Sequence, residues 1–137
     1  MKVKQLKDVI LMRHSDVRVF DDHDLEFIDI LRNLNMSRNV ASTLAFLANV
    51  EEATSKDLEL GSELRQPEVS IAMRELRNFG WLDEREIKKE GKGRPMKVYK
   101  LAVPMNEIVL HLEERTRQEA EKTLHNIEKL KGLNFSK

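Results

Sequence analysis

Arg65, Gln66, Ser70, Arg74, Arg77 and Asn78 fall in the stretch 65–78, and spacings of three and four put Ser70, Arg74, Arg77 and Asn78, with Ile71, on one side of a helix. Their chemistry is that of forked and paired donors. A guanidinium can bond guanine O6 and N7 together, an Asn or Gln amide can do the same on adenine, and hydroxyls and further arginines can hold phosphate oxygens. A solvent-facing helix surface has a similar composition, so the face alone decides nothing. A second group lies nearby. Lys92, Arg94, Lys97 and Lys100 belong to the run 85–100, which holds seven basic residues against two acidic, a net of +5. The run 20–63 holds three basic against ten acidic, a net of −7. Over the whole chain 24 basic residues balance 24 acidic, so net charge gives no support to a polyanionic partner. The segregation does.

The elements that must position these groups are legible around them. Val69, Ala72, Met73, Leu76 and Phe79 recur at helical spacing and form an apolar stripe opposite the polar face. Pro67 suits the first turn, where its missing N–H has no helical partner, and Gly80 suits a left-handed C-terminal cap. Two strand-like runs follow, Trp81 to Lys89 and Met96 to Leu101, joined by Gly91-Lys92-Gly93-Arg94-Pro95. Upstream, a helix is expected over Asp24–Leu34, capped by Asp22 or Asp24, with Leu25, Phe27, Ile28, Leu31 and Leu34 inward. Ser37 caps a second that runs to about Val50, with Val40, Ala41, Leu44, Leu47 and Ala48 inward. Glu51-Glu52-Ala53 reads as a linker. Thr54 and Asp57 form a capping box for a third helix ending near Ser62. Downstream, Pro104 opens a helix to about Lys131, roughly 40 Å long at 1.5 Å per residue. The expected fold is mainly α with a small β-hairpin: a winged helix-turn-helix plus a long C-terminal helix. The expected organisation is an N-terminal arm or extra element over 1–20, the winged domain over 21–103 and a dimerisation helix over 104–137.

The run Gln66-Pro67-x-Val69-Ser70, then Met73, Leu76, Gly80-Trp81-Leu82 and Gly93-Arg94-Pro95-x-x-Val98-Tyr99-x-Leu101, resembles prokaryotic winged-helix transcriptional regulators of the MarR, ArsR and TrmB type, archaeal in the narrower expectation. The likeness spans Asp24 to Leu101. Arg65 stands where these proteins usually have a small capping residue, and Ile71 where a basic one is common. The resemblance implies a homodimer that binds double-stranded DNA sequence-specifically and regulates transcription, with the Gln66–Phe79 helix in the major groove and the hairpin in the minor groove. On that reading Gln66, Ser70, Arg74 and Asn78 lie near bases, Arg65 and Arg77 at phosphates, and Lys97 and Lys100 along the backbone. Lys92-Gly93-Arg94-Pro95 resembles the Arg-Gly-Arg-Pro core of minor-groove hooks, in which glycine permits close approach to the groove floor. Ile108, Leu112, Leu124, Ile127 and Leu130 would form the dimer seam. The alternative is a winged helix used as a protein-interaction module in a transcription or repair assembly.

Other chemistries find less footing. Without cysteine there is no disulfide and no thiolate metal site. Ile10-Leu11-Met12-Arg13-His14 matches the opening of histidine phosphatases, but Ser15 replaces the glycine that chemistry needs, and no coherent catalytic set follows. An enzyme is therefore not expected. His111-x-x-Glu114 and His125-x-x-Glu128 each place an imidazole and a carboxylate on one helical face, as metal-sensing ArsR proteins do on their last helix. The pairs are about 21 Å apart at helical rise, too far to share an ion within one chain. No metal or cofactor is expected, and a small-molecule effector is left open. The apolar run Val9-Ile10-Leu11-Met12 is too short for a signal-peptide core, and no stretch reaches membrane-spanning length, so a cytoplasmic, non-membrane protein is the expectation.

Overall fold

The computed structural model describes residues 20–88, 93 and 95–135. The expected arm therefore lies outside the described residues, save Phe20. Helix α1 spans Asp22–Asn33 and starts two residues earlier than expected, because Asp21 is the cap. Its Oδ1 accepts from the Asp24 N–H at 2.8 Å, and the Asp21 N–H donates to Asp24 Oδ2 at 3.1 Å, closing a reciprocal box. Ile28 and Leu31 are buried, Phe27 and Leu34 half-buried, and Leu25 is exposed, so the inward stripe is narrower than the one expected.

Helix α2 (Arg38–Ala48) is capped by Ser37, whose Oγ accepts from the Val40 N–H at 3.2 Å. It is buried on nearly every side. Val40, Ala41, Ser42, Thr43, Leu44, Ala45 and Leu47 are all covered, although Ala48 is exposed against expectation. Small residues along it let α1 and the later elements come close. The stretch read as a linker then holds a strand. Strand β1 (Ala53–Thr54) pairs antiparallel with β3 (Met96–Leu101), Ala53 opposite Tyr99 and Thr54 opposite Val98. The hairpin is thus part of a three-stranded sheet, in the order β1-β3-β2, with β2 at Leu82–Ile87.

Thr54 serves two elements. It also caps helix α3 (Ser55–Ser62), its Oγ1 accepting from the Asp57 N–H at 3.1 Å while its own N–H donates to Asp57 Oδ2 at 3.0 Å. The ring of Phe46 on α2 lies where a Cβ on Gly61 would stand, which is why a glycine sits inside this helix. Glu63 ends it in the left-handed region at φ 61°. Helix α4 (Gln66–Phe79) follows, with Val69, Ala72, Met73 and Leu76 against the core. Burying each of the larger three contributes about 1.5–3 kcal/mol. Phe79, expected in this stripe, is instead exposed and stacks on the buried Trp81 with ring centroids 4.4 Å apart. Gly80, at φ 78°, donates to the Arg77 carbonyl and Trp81 donates to that of Leu76, the two bonds of a Schellman ending.

The chain divides after Val103 into two compact units. The second contains helix α5 (Met105–Gly132), 28 residues and about 42 Å long. Ile108 and Leu112, in its first turns, are buried, and every described residue from Thr116 onward is exposed.

Candidate nucleic-acid interface

Helix α4 presents two faces of opposite character. One is the core of its unit; on the other, Gln66, Ser70, Ile71, Arg74, Arg77 and Asn78 are all exposed. At its N-terminus Glu68 Oε1 accepts from the Arg65 N–H at 2.9 Å, and the Arg65 side chain makes no cap hydrogen bond. Gln66 Nε2 donates to Ser70 Oγ at 3.0 Å, which orients both one turn apart on the outward surface. Arg74 makes no hydrogen bond or ion pair among the described residues.

Arg77 is differently placed. Its Nη2 donates to Glu84 Oε1 at 2.8 Å, and Glu84 Oε2 lies 3.7 Å from Lys97 Nζ. One carboxylate on β2 therefore joins the end of α4 to β3. The Arg77 hydrogen bond holds the Glu84 carboxyl below its ordinary value against the opposing effect of burial, with the charges of Arg77 and Lys97 adding to the lowering. Both cations remain half exposed, at 50% and 51%, and can still reach a second anion.

Strand alternation separates residues that the sequence grouped together. Lys97 shares its sheet face with Glu84, whereas Lys100 is three residues on and faces the other way. There it lines a cleft with Glu52, Asp83, Arg85 and Val98, which Glu84 also borders. In that cleft Arg85 is already committed, its Nη2 lying 2.8 Å from Glu52 Oε1. Arg77 and Lys97 are thus brought together on the side of the α4 end, and Lys100 is not. Lys92 and Arg94 lie outside the described residues. Gly93 between them has φ 124°, a conformation that side-chain-bearing residues rarely adopt.

Sequence reasoning missed Glu84 and Arg85 as organisers. Period-two alternation in Leu82–Ile87 would have put Glu84 on one face and Arg85 on the other, but not what each one meets. Among the expected seam residues, Ile108 (0% exposed) and Leu112 (4%) are covered within the single chain, while Leu124 (62%), Ile127 (43%) and Leu130 (56%) are open. Among the described residues neither the His111 nor the His125 pair belongs to a group of three candidate metal donors. Among the described residues the three-donor group is Asp21, His23 and Asp24, and both of its carboxylates are engaged in capping α1.

No family model and no curated protein matches the chain. Its fold is similar to that of a "possible transcriptional regulator" from Methanosarcina mazei Go1, with a TM-score of 0.60 at 16% identity over 77% of this chain and 87% of that one. The fold is a winged helix-turn-helix. In it α3 and α4 are the paired helices, Glu63–Arg65 the turn, and β2–β3 the wing. A MarR family regulator from Neisseria meningitidis also aligns, over 95% of this chain and 91% of that one at 15% identity, with a TM-score of 0.43. Among the described residues no helix is long and apolar enough to cross a membrane.

Proposed function

We propose that this chain is a transcriptional regulator that binds double-stranded DNA sequence-specifically as a cytoplasmic homodimer and is not an enzyme. Helix α4 enters the major groove, and the wing follows the backbone into the minor groove. The observation that carries this reading is the outward face of α4: four base-reading side chains, Gln66, Ser70, Arg74 and Asn78, stand exposed on a helix whose other side is core. Arg77 and Lys97 flank it as a pair fit for phosphate. The similarity in fold to a protein described as a possible regulator agrees with it.

Selection of bound fragments from random duplex DNA, followed by retention of the selected duplex at increasing salt, tests the proposal. The expected result is an enriched two-part motif whose binding weakens steeply with salt, because each cation–phosphate contact releases a counterion. Failure to retain any duplex at low salt would instead leave the winged helix as a protein-interaction module.

A further inference from the structure

A cleft of about 200 Å³ opens between α1, the start of α2 and the end of α3, away from the α4 face. Its apolar part comes from Phe20, Leu25 and Ile28. Its rim carries two cations, Arg32 and Arg38, and two carboxylates, Asp29 and Glu63. None of these four forms an ion pair or side-chain hydrogen bond among the described residues. Elsewhere in this unit opposite charges that meet do pair, as Arg85 does with Glu52 and Arg77 with Glu84. Ser42 also lines the cleft. It is only 4% exposed, and its hydroxyl has no hydrogen-bond partner among the described residues, whereas the neighbouring Ser62 hydroxyl is spent on the Leu58 carbonyl. Glu63 carries a backbone cost, since a non-glycine residue at φ 61° is strained.

We propose that this cleft binds a free α-amino acid with an apolar side chain. Cations and carboxylates that find no partner among the described residues, around one opening, match a ligand that itself carries both charges on adjacent atoms. Arg32 and Arg38 take its carboxylate in forked hydrogen bonds, Asp29 and Glu63 its ammonium, and Ser42 completes one of the two shells. Leu25 and Ile28 take the apolar side chain. The volume lies below the 300–1,000 Å³ usual for drug-sized ligands, which limits the occupant to a molecule of about this size. Glu63 is also the first residue of the turn leading into α4, so occupancy bears directly on that helix. This last consequence rests on the DNA-binding reading, but the binding itself does not.

Calorimetric titration of the full chain without DNA tests the site, using L-leucine, L-isoleucine, L-methionine and L-phenylalanine. Two half-ligands, 4-methylpentanoate and isoamylamine, lack the ammonium or the carboxylate. The expected result is saturable binding of at least one of the amino acids, with both half-ligands about tenfold weaker or worse, the size of one lost charge-assisted hydrogen bond. Arg38→Ala and Glu63→Gly should each weaken binding by about tenfold on the same grounds. Glu63→Gly relieves the left-handed backbone, so its loss of binding cannot be blamed on misfolding, and an unchanged or raised Tm confirms that. Absence of saturable heat with all the amino acids at millimolar concentration overturns the proposal, as does binding that ignores both substitutions or half-ligands that bind as tightly. Because no DNA is present, failure here leaves the DNA-binding reading standing, and failure to bind DNA leaves this one.

Discussion

Arg74 and Arg77 are one turn apart on the same helix, yet their surroundings give them different work. Among the described residues no carboxylate holds Arg74, which projects opposite Val69, Met73 and Leu76, so on the proposed DNA-binding reading its guanidinium can reach a base edge. Arg74→Ala is expected to cost about 1–3 kcal/mol of DNA affinity and to relax preference at one base pair per half-site, with little change in Tm. Binding-site selection with the variant checks it, and an unaltered motif at unaltered affinity would show that this face does not read DNA. Arg77 is tied through Glu84 to Lys97, and on the proposed reading that tie would compete with phosphate. Glu84→Gln removes a negative charge beside both cations, so affinity should rise for all duplexes alike and the salt slope should steepen. The same substitution has a pH signature. Because the folded-state value of Glu84 is depressed, its contribution to stability is present above the ordinary carboxylate value and lost as pH falls through the lowered one. The Tm gap between wild type and Glu84→Gln should therefore be small but measurable at neutral pH, as for other partly exposed pairs, and should close as pH falls below the ordinary carboxylate range.

Packing between elements makes Gly61 the sharpest test at the next scale. A Cβ there meets the Phe46 ring, so Gly61→Ala must displace an aromatic side chain between α3 and α2. The expected cost is about 1–3 kcal/mol despite alanine's better helix propensity, read from denaturant midpoints. Phe46→Leu should restore much of it when combined with Gly61→Ala, and a double-mutant cycle showing no coupling would discount the contact. The reason for this glycine was not legible in the sequence, because it depends on a residue fifteen positions away. Local chemistry was legible. The boxes at Thr54 and Asp57 and the caps at Ser37 and Gly80 stand as read, since each is settled within a few residues. The cap of α1 slipped because Asp21, Asp22 and Asp24 offer nearly equivalent carboxylates. Strand β1 was missed because two residues carry no period, and only their pairing with Tyr99 and Val98 makes them a strand. Helical spacing told which side of α4 is apolar but not how far the core extends, hence the exposed Phe79. At the candidate site, the outward set on α4 followed from spacing alone. The Arg77–Glu84–Lys97 tie and the opposite facing of Lys100 needed the register of β2 on β3.

For the whole molecule, the open question of physical interest is what covers the distal part of α5. Leu124, Ile127 and Leu130 recur along one side of it and are exposed, as are Leu133 and Phe135 beyond. A helix with such a side and no described residue over it is explained if a second copy supplies the cover, and a partial heptad pattern suits that pairing. Ile108 and Leu112 are poor probes of this, because both are already buried. Leu112→Ala should simply destabilise the chain, by about 2–5 kcal/mol. Leu124→Asp with Ile127→Asp is the cleaner test. Both side chains are exposed in the single chain, so the winged unit should melt as before, while the paired helices lose their seam. Sedimentation velocity should then change from dimer to monomer at micromolar concentration. Affinity for a two-part DNA site should fall by about a hundredfold or more, since the second half-site no longer benefits from the first. Affinity for an isolated half-site should stay the same, which separates lost pairing from damage to α4. Wild-type protein that sediments as a monomer at the same concentration would remove the homodimer from the proposed function and leave the exposed stripe to another partner.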